Sequence, residues 1–162
     1  MILLVVDTQK GCFDERLYSF ETVRKNIKQL ITIARENNVE VVYVQHDDGP
    51  GTDLDKSADN YEIYEEFAPR DNERRFEKNV NSAFHPMTGL TEYLLSKGEK
   101  DIIAIGVSTD YCMDATIKSG FEKDLTYMFL HIRIQPMITP ISIRKQHTNI
   151  IMNLCGGSVT QR

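Results

Sequence analysis

The chain has 162 residues, enough for one domain of ordinary size that buries a core without disulfide or metal staples, and too few for two catalytic domains. With 41% hydrophobic and 27% charged residues it has the composition of a folded globular protein, which excludes a disordered tail, a collagen-like repeat and a disulfide framework. The 19 Lys and Arg against 24 Asp and Glu leave a net charge of -5, so there is no electrostatic reason to expect a nucleic-acid partner, and a small-molecule substrate becomes the default.

The opening Met-Ile-Leu-Leu-Val-Val is apolar and ends at Asp7, with no basic region before it and no small-residue cleavage site after it. It reads as a strand buried on both faces. Val23, Ile27, Leu30, Ile31 and Ala34 recur at helical spacing between Glu21 and Asn38, and the Asn37-Asn38 pair supplies a stop. Residues 39–44 are rich in Val and too short for a helix, which predicts a second strand. From Gln45 to Phe76 there is little periodicity; a long functional loop is expected, with one short helix around Tyr61 to Phe67. Leu90, Tyr93 and Leu94 mark a helix closed by Gly98, and residues 101–106 read as a third buried strand. A helix follows from Cys112 through Ala115 to Gly120. This alternation implies right-handed parallel crossovers, hence a three-layer α/β/α fold with a mostly parallel central sheet. No stretch approaches a membrane span, and no linker divides the chain, so one domain over residues 1–162 is expected. Three unpaired cysteines, Cys12, Cys112 and Cys155, fit a reducing cytoplasm.

In open parallel sheets, ligands sit beyond the carboxyl ends of the strands, where Asp7, His46 and the segment from Gly106 to Cys112 all fall. At the first turn of a helix, Cys112 would have its thiol pKa lowered by free backbone amides and the helix dipole. By environment alone it is either a nucleophile or a buried structural thiol. Asp7, likewise, is either a charge that meets a cation or a loop cap, and Lys78 taken alone is a surface lysine.

Three segments together resemble the isochorismatase-like cysteine hydrolases, the superfamily that includes nicotinamidases: Leu-Leu-Val-Val-Asp-Thr-Gln with Asp7, Phe-Glu-Lys-Asn-Val-Asn-Ser-Ala-Phe with Lys78, and residues 102–122 with Cys112. The resemblance covers residues 1 to about 123. It implies the α/β fold of that superfamily and a cofactor-independent cleavage of a small amide or related C–N bond. Asp7 becomes the general base, Lys78 the assisting cation and Cys112 the nucleophile. It also implies a cis peptide between Val107 and Ser108 that aims the amides of Ser108 and Cys112 at an oxyanion. Phe13, His46 and Tyr111 are expected to border the substrate pocket. Nicotinamidases bind a metal through an acid and two closely spaced histidines in this region; only His46 stands here, so no metal is expected. A homo-oligomer, dimer or tetramer, acting in the cytoplasm away from membranes, completes the reading. The alternative function is a catalytically impaired member that binds a small ligand or responds to redox through its thiol.

The resemblance stops after Lys123. Residues 124–162 lack helical period and carry Pro136 and Pro140 where a long crossover is needed. Restoring one base near Asp124 in representative codons gives text like the usual C-terminus, so we read the segment as a frameshifted tail, a reading that resequencing the gene across codon 123 tests. Residues 125–132 keep enough β character for one more strand beside the one over 101–106. Beyond Ile134 the closing helix is expected to be missing, the sheet face left exposed, and the chain less stable than its frame-restored form.

Overall fold

A computed structural model describes residues 1–128 of the chain. Within them β1 (Ile2–Val6), α1 (Phe20–Glu36), β2 (Glu40–His46), β3 (Arg74–Lys78), α2 (Leu90–Ser96), β4 (Asp101–Gly106), α3 (Asp114–Phe121) and β5 (Thr126–Met128) follow in order. The strands form one sheet in the order β3-β2-β1-β4-β5, with every pairing parallel.

Burial follows from the pleat. Leu3 and Val5 of β1 point to one face, where they meet Val23, Ile27 and Ile31 of α1. Ile2, Leu4 and Val6 point to the other, against Leu90 and Leu94 of α2 and Met113 before α3. Two cores on opposite faces of one sheet make the three layers expected from the alternation of elements. The predicted stops hold as well: Asn38 at φ 56° ends α1 and Gly98 at φ 65° follows α2. At the end of β4, Gly106 adopts φ 147°, and a Cβ there would lie 2.0 Å from the Val6 carbonyl oxygen, so only glycine lets β4 close on β1.

One strand differs from expectation. The end of the anticipated loop, Arg74–Lys78, is the edge strand β3, and the short helix anticipated near Tyr61 to Phe67 is two single 3-10 turns, Asp59–Tyr61 and Glu65–Phe67. Arg-Arg-Phe-Glu-Lys has no apolar alternation because its pairing is with β2 on one side only, and its exposed charges suit an unpaired edge. Arg35 of α1 anchors its approach, donating to Glu73 and to the Ala68 carbonyl. The strand over 101–106 is therefore the fourth in the chain, and the next one begins beside it at Thr126. The rest of the span expected to reach residue 132, the missing closing helix and the frameshift reading lie outside the described residues. No helix among the described residues is long and apolar enough to cross a membrane.

Candidate active site

The carboxyl ends of β1, β2, β3 and β4 bring the site together. Asp7 directly follows β1 at φ 50°, a left-handed conformation that few residues other than glycine adopt, with its N–H donated to the Val44 carbonyl. On the neighbouring strands His46 ends β2 and Lys78 ends β3, and the two are paired in the sheet register. β4 leads through the cis peptide Val107–Ser108, as the resemblance implied, into a π-helical turn, Thr109–Met113, that carries Cys112. Tyr111 and Met113 both donate their N–H to the Ser108 carbonyl, so the N–H groups of Ser108 and Cys112 are not the ones those bonds use.

Lys78 is the hub. Its side chain is fully buried, and its Nζ lies 2.7 Å from Asp7 Oδ2, 2.9 Å from His46 Nδ1 and 3.2 Å from Cys112 Sγ. The other carboxylate oxygen, Asp7 Oδ1, is buried with no hydrogen-bond partner among the described residues. The ion pair is thus sealed from water on the Lys78 side, and the Asp7 carboxylate also faces the Cys112 thiol.

Burial raises the Asp7 carboxyl above its ordinary range, against the pull of Lys78 toward the anion. The Cys112 thiol is pushed up to about 12, first by burial and then by the facing Asp7 carboxylate, with Lys78 opposing. This corrects the expectation of a thiol made acidic by a helix N-terminus. Cys112 sits in the π-helical turn ahead of α3, where desolvation and a neighbouring anion outweigh the backbone dipoles. Cys12 is raised in the same way, to about 11, so neither thiol is a standing thiolate at neutral pH.

Of the expected pocket residues, Phe13 lies in the core, while Tyr111 adjoins Cys112. Phe13 is 1% exposed and packs its ring against Phe20, Tyr64 and Phe67 in the α1-side core. The turn in which Cys12 and Phe13 donate their N–H to the Gln9 carbonyl accompanies this inward placement. Tyr111 stands two-thirds exposed on the turn carrying Cys112. Three residues near the chemistry were not singled out in the sequence. Gln9 is fully buried and clamps the backbone of His46, accepting its N–H at 2.6 Å and donating to its carbonyl at 2.8 Å. Asp48 Oδ1 lies 2.8 Å from His46 Nε2, and Asn81 Oδ1 lies 4.0 Å from Cys112 Sγ. The signal for Gln9 was present, a buried amide two residues past Asp7 that needs partners; nothing in the sequence marked Asp48 or Asn81.

Asp7, His46 and Cys112 are the one grouping of three metal-ligating side chains among the described residues, with ligand atoms within 4.8 Å of one another. The Lys78 ammonium contacts all three, so the position that would serve a metal ion is held by a protein cation. The acid-plus-two-histidine set implied for nicotinamidases does not fit these residues.

A family model described as the Isochorismatase domain matches residues 1–131. The chain belongs to the isochorismatase family. Nicotinamidase 3 of Arabidopsis thaliana is 30% identical to it, over 78% of this chain and 69% of the relative. The isochorismatase family protein YrdC of Bacillus subtilis is 29% identical, over 76% of this chain and 69% of the relative. Among solved structures, a cysteine hydrolase from Pseudomonas syringae pv. phaseolicola superimposes with a TM-score of 0.72 at 26% identity, covering 86% of this chain and 74% of that one. N-carbamoylsarcosine amidase from Thermoplasma acidophilum, at 22% identity and a TM-score of 0.73 over 99% of this chain and 95% of that one, shares the fold. The isochorismatase family match runs eight residues past Lys123, where the sequence resemblance stops, and the chain is a hydrolase of that family.

Proposed function

We propose that this isochorismatase-family hydrolase cleaves a small amide or related C–N bond through a covalent Cys112 intermediate, with Asp7 as base, Lys78 as fixed cation and no metal or organic cofactor. The observation that carries the reading is the buried Lys78 ammonium bonded to both Asp7 and Cys112.

With its thiol near pKa 12, Cys112 waits as a thiol, and proton loss accompanies attack. Asp7 takes the S–H proton as sulfur adds to the carbonyl carbon, while Lys78 holds the charge that passes between them. Negative charge gathers on the carbonyl oxygen, for which the N–H groups of Ser108 and Cys112 are the assigned donors. Asp7 returns its proton to the leaving nitrogen, the C–N bond breaks, and a thioester remains on Cys112. A water molecule, deprotonated by Asp7, adds to the thioester carbon; collapse expels the thiolate, which regains the proton and releases the acid. The high thiol pKa weighs against the redox-responsive alternative, since oxidant sensing favours an acidic, accessible thiolate.

The test is turnover on a panel of small amides that includes nicotinamide and N-carbamoylsarcosine, with Cys112→Ala as control. At least one amide is expected to be hydrolysed by the native chain and none by the variant. EDTA is expected to leave the rate unchanged; a loss of turnover in EDTA that zinc restores would contradict the cation role of Lys78.

A further inference from the structure

We propose that His46 is a positioning residue for the catalytic lysine: its Nδ1 lone pair fixes the Lys78 ammonium so that one of its N–H bonds must point at Cys112. The inference rests on the hydrolase reading above and assigns a role that the triad alone does not contain.

An alkylammonium carries three N–H donors and no acceptor. Lys78 Nζ has three partners within reach, Asp7 Oδ2 at 2.7 Å, His46 Nδ1 at 2.9 Å and Cys112 Sγ at 3.2 Å. With only Asp7 and Cys112 as acceptors, the ammonium could shift toward the shorter, charge-assisted bond to Asp7 and away from the sulfur. A third fixed acceptor holds Nζ between the three groups and keeps one N–H directed at sulfur. Because Lys78 only donates, Nδ1 must be the accepting nitrogen. The imidazole is therefore neutral, with its hydrogen on Nε2, and that hydrogen is donated to Asp48 Oδ1 at 2.8 Å. The ring is thus held at both nitrogens, and its backbone is held at both ends by the Gln9 amide. Sequence places these parts together: Gln9 follows Asp7 by two residues, while the register between β2 and β3 sets His46 beside Lys78. Among the described residues no hydrogen bond joins His46 to Asp7 or Cys112, although one of its ring nitrogens lies within 4.8 Å of both; its hydrogen bond at the centre of the site goes to Lys78.

The experiment compares His46→Asn with His46→Leu, side chains of similar size of which only asparagine offers an acceptor; His46→Ala is a second non-accepting variant. Circular dichroism reports folding of each. Alkylation of Cys112 by iodoacetamide at one fixed alkaline pH, located by peptide mass, needs no substrate. Lys78 lowers the thiol pKa. Letting the ammonium swing away is expected to slow alkylation severalfold in the leucine and alanine variants, and asparagine is expected to recover most of the loss. On whichever amide of the panel the native chain hydrolyses, kcat is expected to fall on the order of 10- to 100-fold in the leucine variant with KM little changed, and to recover in part with asparagine. Equal or faster alkylation in the folded leucine or alanine variants, or asparagine behaving as leucine does, would overturn the proposal. If the native chain hydrolyses no amide on the panel, the hydrolase reading fails while the alkylation comparison still decides the role of His46.

Discussion

Asp7→Asn is expected to abolish turnover and, at the same time, to make Cys112 more reactive toward iodoacetamide. The two effects run in opposite directions because Asp7 does two things. As general base it accepts the thiol proton during attack, and loss of such a group costs on the order of 10²- to 10⁴-fold. As a buried anion it also adds to the effect of burial in raising the thiol; an asparagine removes that charge while the burial, and Lys78, which favours the thiolate, stay. The variant thus carries a more acidic thiol with nowhere to send a proton at the right moment. Rates of turnover and of alkylation on the same preparation check the pair of effects. A variant that keeps turnover, or whose Cys112 becomes harder to alkylate, contradicts the assignment of Asp7.

Lys78→Met is expected to remove activity and to destabilise the chain on the order of 3–5 kcal/mol, the cost typical of breaking a buried ion pair and leaving one charge unpaired. The fully buried Lys78 side chain offsets the burial of Asp7, whose folded-state carboxyl is already raised above its ordinary value. Without the ammonium that carboxyl rises further. A group raised in the folded state binds more protons there than in the unfolded chain. Its contribution to stability is therefore fully present below the ordinary carboxylate value, near about 4, and is lost as pH climbs through the folded value. The stability gap between Lys78→Met and the native chain should accordingly be widest near neutral pH and shrink as pH falls toward about 4. Urea unfolding of both proteins at the two pH values measures it; a gap that widens in acid would mean that Asp7 is not the charge left behind.

How much of this was written plainly in the residues depends on what the physics makes visible at short range. The strands β1, β2 and β4 could be read because burial on both faces demands continuous apolar runs, and α1 because its core face repeats at helical spacing. β3 could not: an edge strand of Arg-Arg-Phe-Glu-Lys carries no such pattern, and its pairing is decided by β2. That gap matters, because β3 is the element that brings Lys78 to Asp7. The three triad members came from motif resemblance, while the hydrogen bonds of Gln9 and Asp48 to His46 join residues that only the folded register brings together. The raised thiol is out of reach of the local sequence for a related reason. A nearby helix start is a local feature, but burial and the Asp7 carboxylate, which prevail, belong to the tertiary structure.

The most direct measurement is the mass of the protein during turnover. Intact-protein and peptide mass spectrometry after rapid acid quench of the native chain with a hydrolysed amide should find an acyl group on Cys112. Its mass should match the substrate less its departing amine, and both adduct and product should be missing with Cys112→Ala. Product formation that persists in Cys112→Ala, or an acyl group found on another residue while Cys112 stays unmodified, would contradict the account.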